Sequence, residues 1–284
     1  MKKVIISIIV AIILIAAGGA ICGMAYVQMD GSFAAMSFAD MELDEIEVTE
    51  EFKDIEAAVN IGNVTICRSD EADCYVERYQ DKKAPFEVRV ENGKLLITQK
   101  ERKNVPWYEY LSLLADMPRV VVFLPKEEYG DIALKTDTGK IAAVGELSSD
   151  SMSLTSETGD ISISDMACKR QLSANTDTGE IKISDTTCSD LKMQGETSSM
   201  QLRDVVSAGT FDIVTETGSI KFDDCDASQI TAQVETGSIT GTLRSSKRFE
   251  AKVETGSVHV PKDTDGGLCK LKTETGEIRI GIDD

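Results

Sequence analysis

Eight times in the second half of this chain an acidic residue is followed by threonine and then, with one exception, by glycine. That recurrence constrains the fold more than any other feature. The acids are Asp137, Glu157, Asp177, Glu196, Glu216, Glu235, Glu254 and Glu274. The position after the threonine is Gly139, Gly159, Gly179, Ser198, Gly218, Gly237, Gly256 and Gly276, at spacings of 20, 20, 19, 20, 19, 19 and 20. A fixed period of this length belongs to architectures that stack one small unit on its copy.

Counted from that glycine, apolar residues fall in columns. Seven before it stand Ile132, Met152, Leu172, Leu191, Phe211, Ile230, Phe249 and Cys269; five before, Leu134, Leu154, Ala174, Met193, Ile213, Ala232, Ala251 and Leu271. Two after it stand Ile141, Ile161, Ile181, Met200, Ile220, Ile239, Val258 and Ile278; four after, Ala143, Ile163, Ile183, Leu202, Phe222, Gly241, Val260 and Ile280. Polar residues alternate with these, so each repeat reads as two half-buried strands joined by the turn. The alternation alone allows an antiparallel meander or a parallel coil. A meander leaves one continuous apolar face with no long helix to cover it. A coil buries all four columns against one another and sets each repeat on its own copy. The expected fold is therefore mainly β: a single-stranded, β-helix-like solenoid with coils of about 20 residues over 126–284.

The chain begins differently. Between Lys3 and Asp30 the run Val4–Val27 carries no charge over 24 residues. A helix of that length reaches ~36 Å, enough to cross a ~30 Å hydrocarbon core. Lys2 and Lys3 precede it and Asp30, Asp40, Glu42, Asp44 and Glu45 follow. The positive-inside rule then puts the N-terminus in the cytoplasm and the bulk of the chain outside. An uncleaved anchor over 1–28 is the reading favoured by length; a cleaved signal peptide, cut near Gly23-Met24-Ala25, is the alternative. Ile21 fits poorly before a lipidated Cys22. Gly19 and Gly23, four apart, offer a close-approach face for a homodimer in the membrane.

Residues 29–44 read as an acidic spacer, and 45–125 as a separate N-terminal β region. There Ile55, Ala57 and Val59, then Ile61, Val64 and Ile66, alternate in the strand manner, and Asn92-Gly93 marks a tight hairpin turn. Trp107, Leu111 and Leu114 share one helical face between Pro106 and Pro118, predicting a short helix that caps the apolar end of the array.

Composition limits the chemistry. The chain holds 30 basic and 49 acidic side chains, a formal charge of −19, which argues against a nucleic-acid partner. With both N-terminal lysines left inside, the exported part carries 28 − 49 = −21. It attracts cations and cationic peptides. His259 is the single histidine, so a zinc site needing two is excluded within one chain. His259 reads as a surface residue. Ser199, Ser219, Ser238 and Ser257 align after the turn without a histidine in register, and read as a solvated face rather than as nucleophiles. No aromatic stripe for stacking on sugar rings is visible.

The acidic ladder has two readings. Turns select Asp, Glu, Thr and Gly on their own, which makes the ladder structural. Alternatively, Asp137, Glu157, Asp177, Glu196, Glu216, Glu235, Glu254 and Glu274 form a row of weak calcium sites, without the Gly-rich nonapeptide spacing of calcium-binding β-rolls. No cofactor and no catalytic residue is expected. Of seven cysteines, Cys22 is in the apolar run and Cys269 in a core column. The rest read as small buried hydrophobes, with disulfides Cys67–Cys74 and Cys168–Cys188 as the exported alternative.

The stretch Ile55-Glu-Ala-Ala-Val-Asn-Ile-Gly-Asn-Val-Thr-Ile66, with Gly93-Lys94-Leu95-Leu96-Ile97, Val120-Val121-Val122-Phe123-Leu124-Pro125 and the Thr-Gly-x-Ile repeats, resembles the bacterial putative adhesin, toastrack-like domains of unknown function. The likeness covers about 45–282. It implies a surface scaffold, with adhesion or envelope stress as its setting, and no catalytic residues to carry over. The expectation is a membrane-anchored, non-enzymatic binding or scaffolding protein with an unknown envelope or surface partner. The alternatives are an envelope-stress sensor that captures cationic peptides and a calcium-stabilised repeat protein. A hydrolase lacks any acid-base pair at consistent spacing.

Overall fold

The computed structural model describes residues 40–101, 116–262 and 265–282. All its strands lie in one compact unit, Met41–Arg102 with Met117–Asp284. Among the described residues no helix is long and apolar enough to cross a membrane; Val4–Val27, Gly19, Gly23 and Cys22 lie outside them, as does nearly all of the helix expected over 106–116.

The repeats form a parallel coil. Strand β8 (Glu128–Thr138) leads into β9 (Ile141–Thr158), β10 (Ile161–Thr217) and β11 (Ile220–Thr236), and β10 alone runs through nearly three coils. Neighbouring coils pair in parallel with like residues opposite: Ile132 with Met152, Ile161 with Ile141, Met200 with Ile220, Phe211 with Ile230. The apolar columns stack on themselves and are buried through six successive repeats apart from Gly241, each large side chain contributing about 1.5–3 kcal/mol when removed from water.

Each coil has a third inward side that the two-strand reading did not contain. After the strand carrying Ile161 and Ile163 the chain bends at Asp165 and turns Met166 and Cys168 inward. Leu147, Thr186, Val205 and Cys225 repeat the first of these positions, and Ser149, Cys188, Ser207 and Ala227 the second. All six described cysteines are free thiols, so neither Cys67–Cys74 nor Cys168–Cys188 is bridged in this structure.

The N-terminal β region is not a separate body, because it supplies further rungs of the same stack. Strands β2 (Asp54–Ile61) and β3 (Asn63–Arg68) flank Gly62 as the repeats flank their glycines. Ile55 pairs with Ile132, Ala57 with Leu134, Val64 with Ile141 and Ile66 with Ala143. Beyond them β6 (Lys94–Gln99) and β7 (Arg119–Leu124) add one more parallel rung, interrupted by 100–118. Antiparallel strands finish this end: β5 (Phe86–Glu91) on β6, and β4 (Cys74–Asp81) then β1 (Met41–Val48) on β7. Strand β1 begins inside the stretch read as spacer. It is held by Arg78, which donates to both carboxylate oxygens of Asp44.

At the other end the rungs leave chain order, which corrects the expectation that each repeat sits on its chain neighbour. Strand β12 (Ile239–Leu243) stacks on β11, but the next strand, β13 (Lys247–His259), does not follow it. The last strand, β14 (Gly267–Ile282), inserts between them: Ile230 pairs with Cys269, Ile239 with Ile278, and β13 is left outermost. Two observations account for the exchange. Thr273 donates to the Gly237 carbonyl at 2.8 Å, a bond that Val253 in the same place cannot make. Lys247 is also folded inward, its ammonium 2.6 Å from Asp226 and 2.6 Å from the Ser245 hydroxyl.

Candidate functional site

The turn that defines the repeat is built by the backbone and by a residue the ladder reading passed over. Turn glycines donate their N–H to the threonine carbonyl of the next rung, as Gly139 to Thr158 and Gly159 to Thr178, both at 2.9 Å. Gly159 has φ +150°, and a Cβ there would lie 1.9 Å from the Gly139 carbonyl oxygen, so no other residue fits without moving the chain. The residue before the acid points inward and bonds the previous turn: Thr136 to Gly62, Ser156 to Gly139, Thr176 to Gly159 and Thr215 to Ser198, at 2.9–3.1 Å. The exception among the turns explains itself. Where glycine is replaced by Ser198, the hydroxyl residue is replaced by Gly195, and Ser198 donates to the Thr176 carbonyl at 3.0 Å instead.

The acids are thereby freed from the turn and point to solvent. Glu157, Asp177, Glu196, Glu216, Glu235 and Glu254 are exposed and make no ion pair among the described residues. Asp137 and Glu274 are half-buried, each 3.5 Å from the lysine two residues before it, Lys135 and Lys272. The carboxylates run in single file, one strand step of ~4.8 Å apart. Among the described residues no three His, Cys, Asp or Glu side chains gather as a metal-binding group.

A second acidic column escaped the sequence reading. Asp165, Asp185, Asp204 and Asp224 occupy the bend after the second strand with φ of 58°, 49°, 52° and 51°. Asp tolerates this left-handed conformation better than most residues. The signal was present as aspartate six residues beyond the turn position in four consecutive repeats. Unlike most of the first, three of these four acids have arginine partners. Arg244 lies 2.9 Å from Asp204 and 2.9 Å from Asp224, and Arg203 lies 3.2 Å from Asp185. The hydrogen bond that Arg244 donates to the Asp224 carboxylate holds its guanidinium above the ordinary pKa.

The remaining candidates fall into structural roles. Ser219 accepts from the Ser238 N–H at 3.3 Å and Ser238 from the Glu277 N–H at 3.2 Å, so these serines tie rungs together. His259 is exposed at the end of β13, 3.6 Å from Glu277. The thiols other than the half-buried Cys67 are buried, and burial raises Cys74, Cys188 and Cys269 to about 12 and Cys225 to about 11. They stay protonated and inert at neutral pH. On the outer face of the second strand a shallow hollow of about 420 Å³ is rimmed by Lys182, Gln201, Arg203 and Lys221.

The family model described as Toastrack DUF4097 matches residues 52–284, and the chain belongs to that family. Among solved structures, a putative adhesin from Bacteroides fragilis NCTC 9343 is 17% identical, with 85% of this chain and 97% of that one aligned at a TM-score of 0.53. A putative lipid binding protein from Parabacteroides distasonis ATCC 8503 is 15% identical, with 86% and 98% covered at 0.51. At these identities the likeness is one of fold. No curated protein matches.

Proposed function

We propose that this toastrack chain is a non-enzymatic, adhesin-like surface protein. It is anchored in the bacterial cell membrane through residues 4–27, with its N-terminus in the cytoplasm and its coil stack displayed outside. The observation that carries the reading is the division of labour in each repeat. Buried hydroxyls and backbone groups hold the turns, while six of the corner acids outside are left, among the described residues, with no structural task. A rigid scaffold whose outer groups are uncommitted suits binding. The putative adhesin among the solved structures, similar in fold, is in keeping with this. Photo-crosslinkers placed at Lys182 and Lys221 on living cells should capture a recurrent surface component; a chain that crosslinks to nothing above an inert control overturns the reading.

The unpaired corner carboxylates favour a second reading, in which the same corner captures cationic peptides. Neighbouring like charges ~4.8 Å apart repel by about 1 kcal/mol in water, and an approaching cation relieves that repulsion. Binding of a cationic peptide should weaken steeply with salt and vanish when the eight acids are replaced by Gln. Binding that survives the replacement removes this reading. Calcium would act at the same carboxylates; an unchanged melting temperature at millimolar calcium removes that version.

A further inference from the structure

The two ends of the stack are finished differently. Antiparallel strands cover the N-terminal end, whereas among the described residues β13 pairs only with β14 and its other backbone edge is unpaired. Among the described residues its rung is the one in which none of the four apolar columns is fully buried: Phe249, Ala251 and Val260 are half-buried and Val258 is 40% exposed, and Val253 beside them is half-buried too. Stacked-repeat proteins need a polar terminal rung, and an open apolar edge is a template for another strand.

We infer that β13 is a self-complementary interface, pairing antiparallel with β13 of a second copy about a two-fold axis at Ala251. The sequence Arg248-Phe249-Glu250-Ala251-Lys252-Val253-Glu254 carries its own complement. Antiparallel pairing centred on Ala251 sets Arg248 opposite Glu254, Glu250 opposite Lys252, and Phe249 opposite Val253, each pair twice by symmetry. Residues directly opposite in an antiparallel pair share a face. Arg248, Glu250, Lys252 and Glu254 are all exposed, and Phe249, Ala251 and Val253 all face inward. Charges therefore meet opposite charges outside, and apolar columns meet apolar columns inside. A parallel pairing in the same register would set each charge beside its own kind. The contact is closed and isologous, so it yields a dimer rather than a filament.

The test is a disulfide trap in the full-length chain. Ala251→Cys puts one thiol on the axis, where Cα atoms of paired strands are ~4.5–5.5 Å apart and within disulfide reach. With Cys22 replaced by Ser in both chains, mild oxidation should give a covalent dimer that is absent from the chain without Ala251→Cys. Adding Lys252→Glu sets like charges opposite each other and should cut the crosslinked fraction roughly tenfold. Adding Glu250→Lys as well restores opposite charges and should restore the dimer. No trap with Ala251→Cys, indifference to Lys252→Glu, or no rescue by the exchange overturns the inference.

Discussion

At the scale of single residues the fold depends on groups that pack or bond out of sight. Gly159→Ala drives a methyl into the Gly139 carbonyl and should cost about 1–3 kcal/mol, read as a lowered urea midpoint. Gly93 has φ +74° but open space around it, so Gly93→Ala should cost less. The buried thiols set a pH dependence. Their ordinary pKa is 9.0, and burial raises Cys74, Cys188 and Cys269 to about 12. From pH 9 upward the unfolded thiols lose protons that the folded ones keep, so stability is full below 9 and falls as pH rises toward 12. The same burial predicts that a thiol reagent at pH 8 modifies these cysteines only after denaturant is added. Alternation placed Cys269 in the core from sequence alone, whereas the inward side holding Cys168, Cys188 and Cys225 was invisible, because its segments are too short to show a period.

At the scale of elements, what holds the C-terminal rungs in their exchanged order is local. Thr273→Val removes the hydroxyl bonded to Gly237 and should destabilise by about 1 kcal/mol, with the loss concentrated in faster hydrogen exchange of β14. Asp226→Ala leaves the Lys247 ammonium, only 4% exposed, without its counter-ion. That should cost about 3–5 kcal/mol in chemical denaturation, more than Lys247→Met, which removes the charge itself. Chain order in this end was not legible because repeats of like columns fit one another in either sequence. Which one sits inside depends on a few bonds rather than on pattern. The rung formed by β2 and β3 was overlooked for the opposite reason. Asn60-Ile61-Gly62 lacks the acid and threonine, and those residues turn out not to build the turn.

At the scale of the molecule, charge and core are separate systems. The net charge is −19, and among the described residues the first corner carries six exposed carboxylates without ion-pair partners. Their mutual repulsion is screened by salt, so the melting temperature should rise between about 10 mM and 0.5 M sodium chloride, and the rise should shrink when the eight acids become Gln. A stack tied only by its core and backbone would show no such dependence.

Period and alternation, together with the lack of a long helix to cover a flat apolar face, determined from sequence that this chain coils and which columns meet inside, since side-chain direction repeats at a constant step. Tertiary structure alone decided how many rungs there are, that every coil has a third side, that hydroxyls rather than acids bind the turns, and that the seventh repeat rather than the eighth ends the stack. Those outcomes turn on contacts between segments distant in the chain, where a single hydrogen bond or a buried charge outweighs a pattern that all the repeats share.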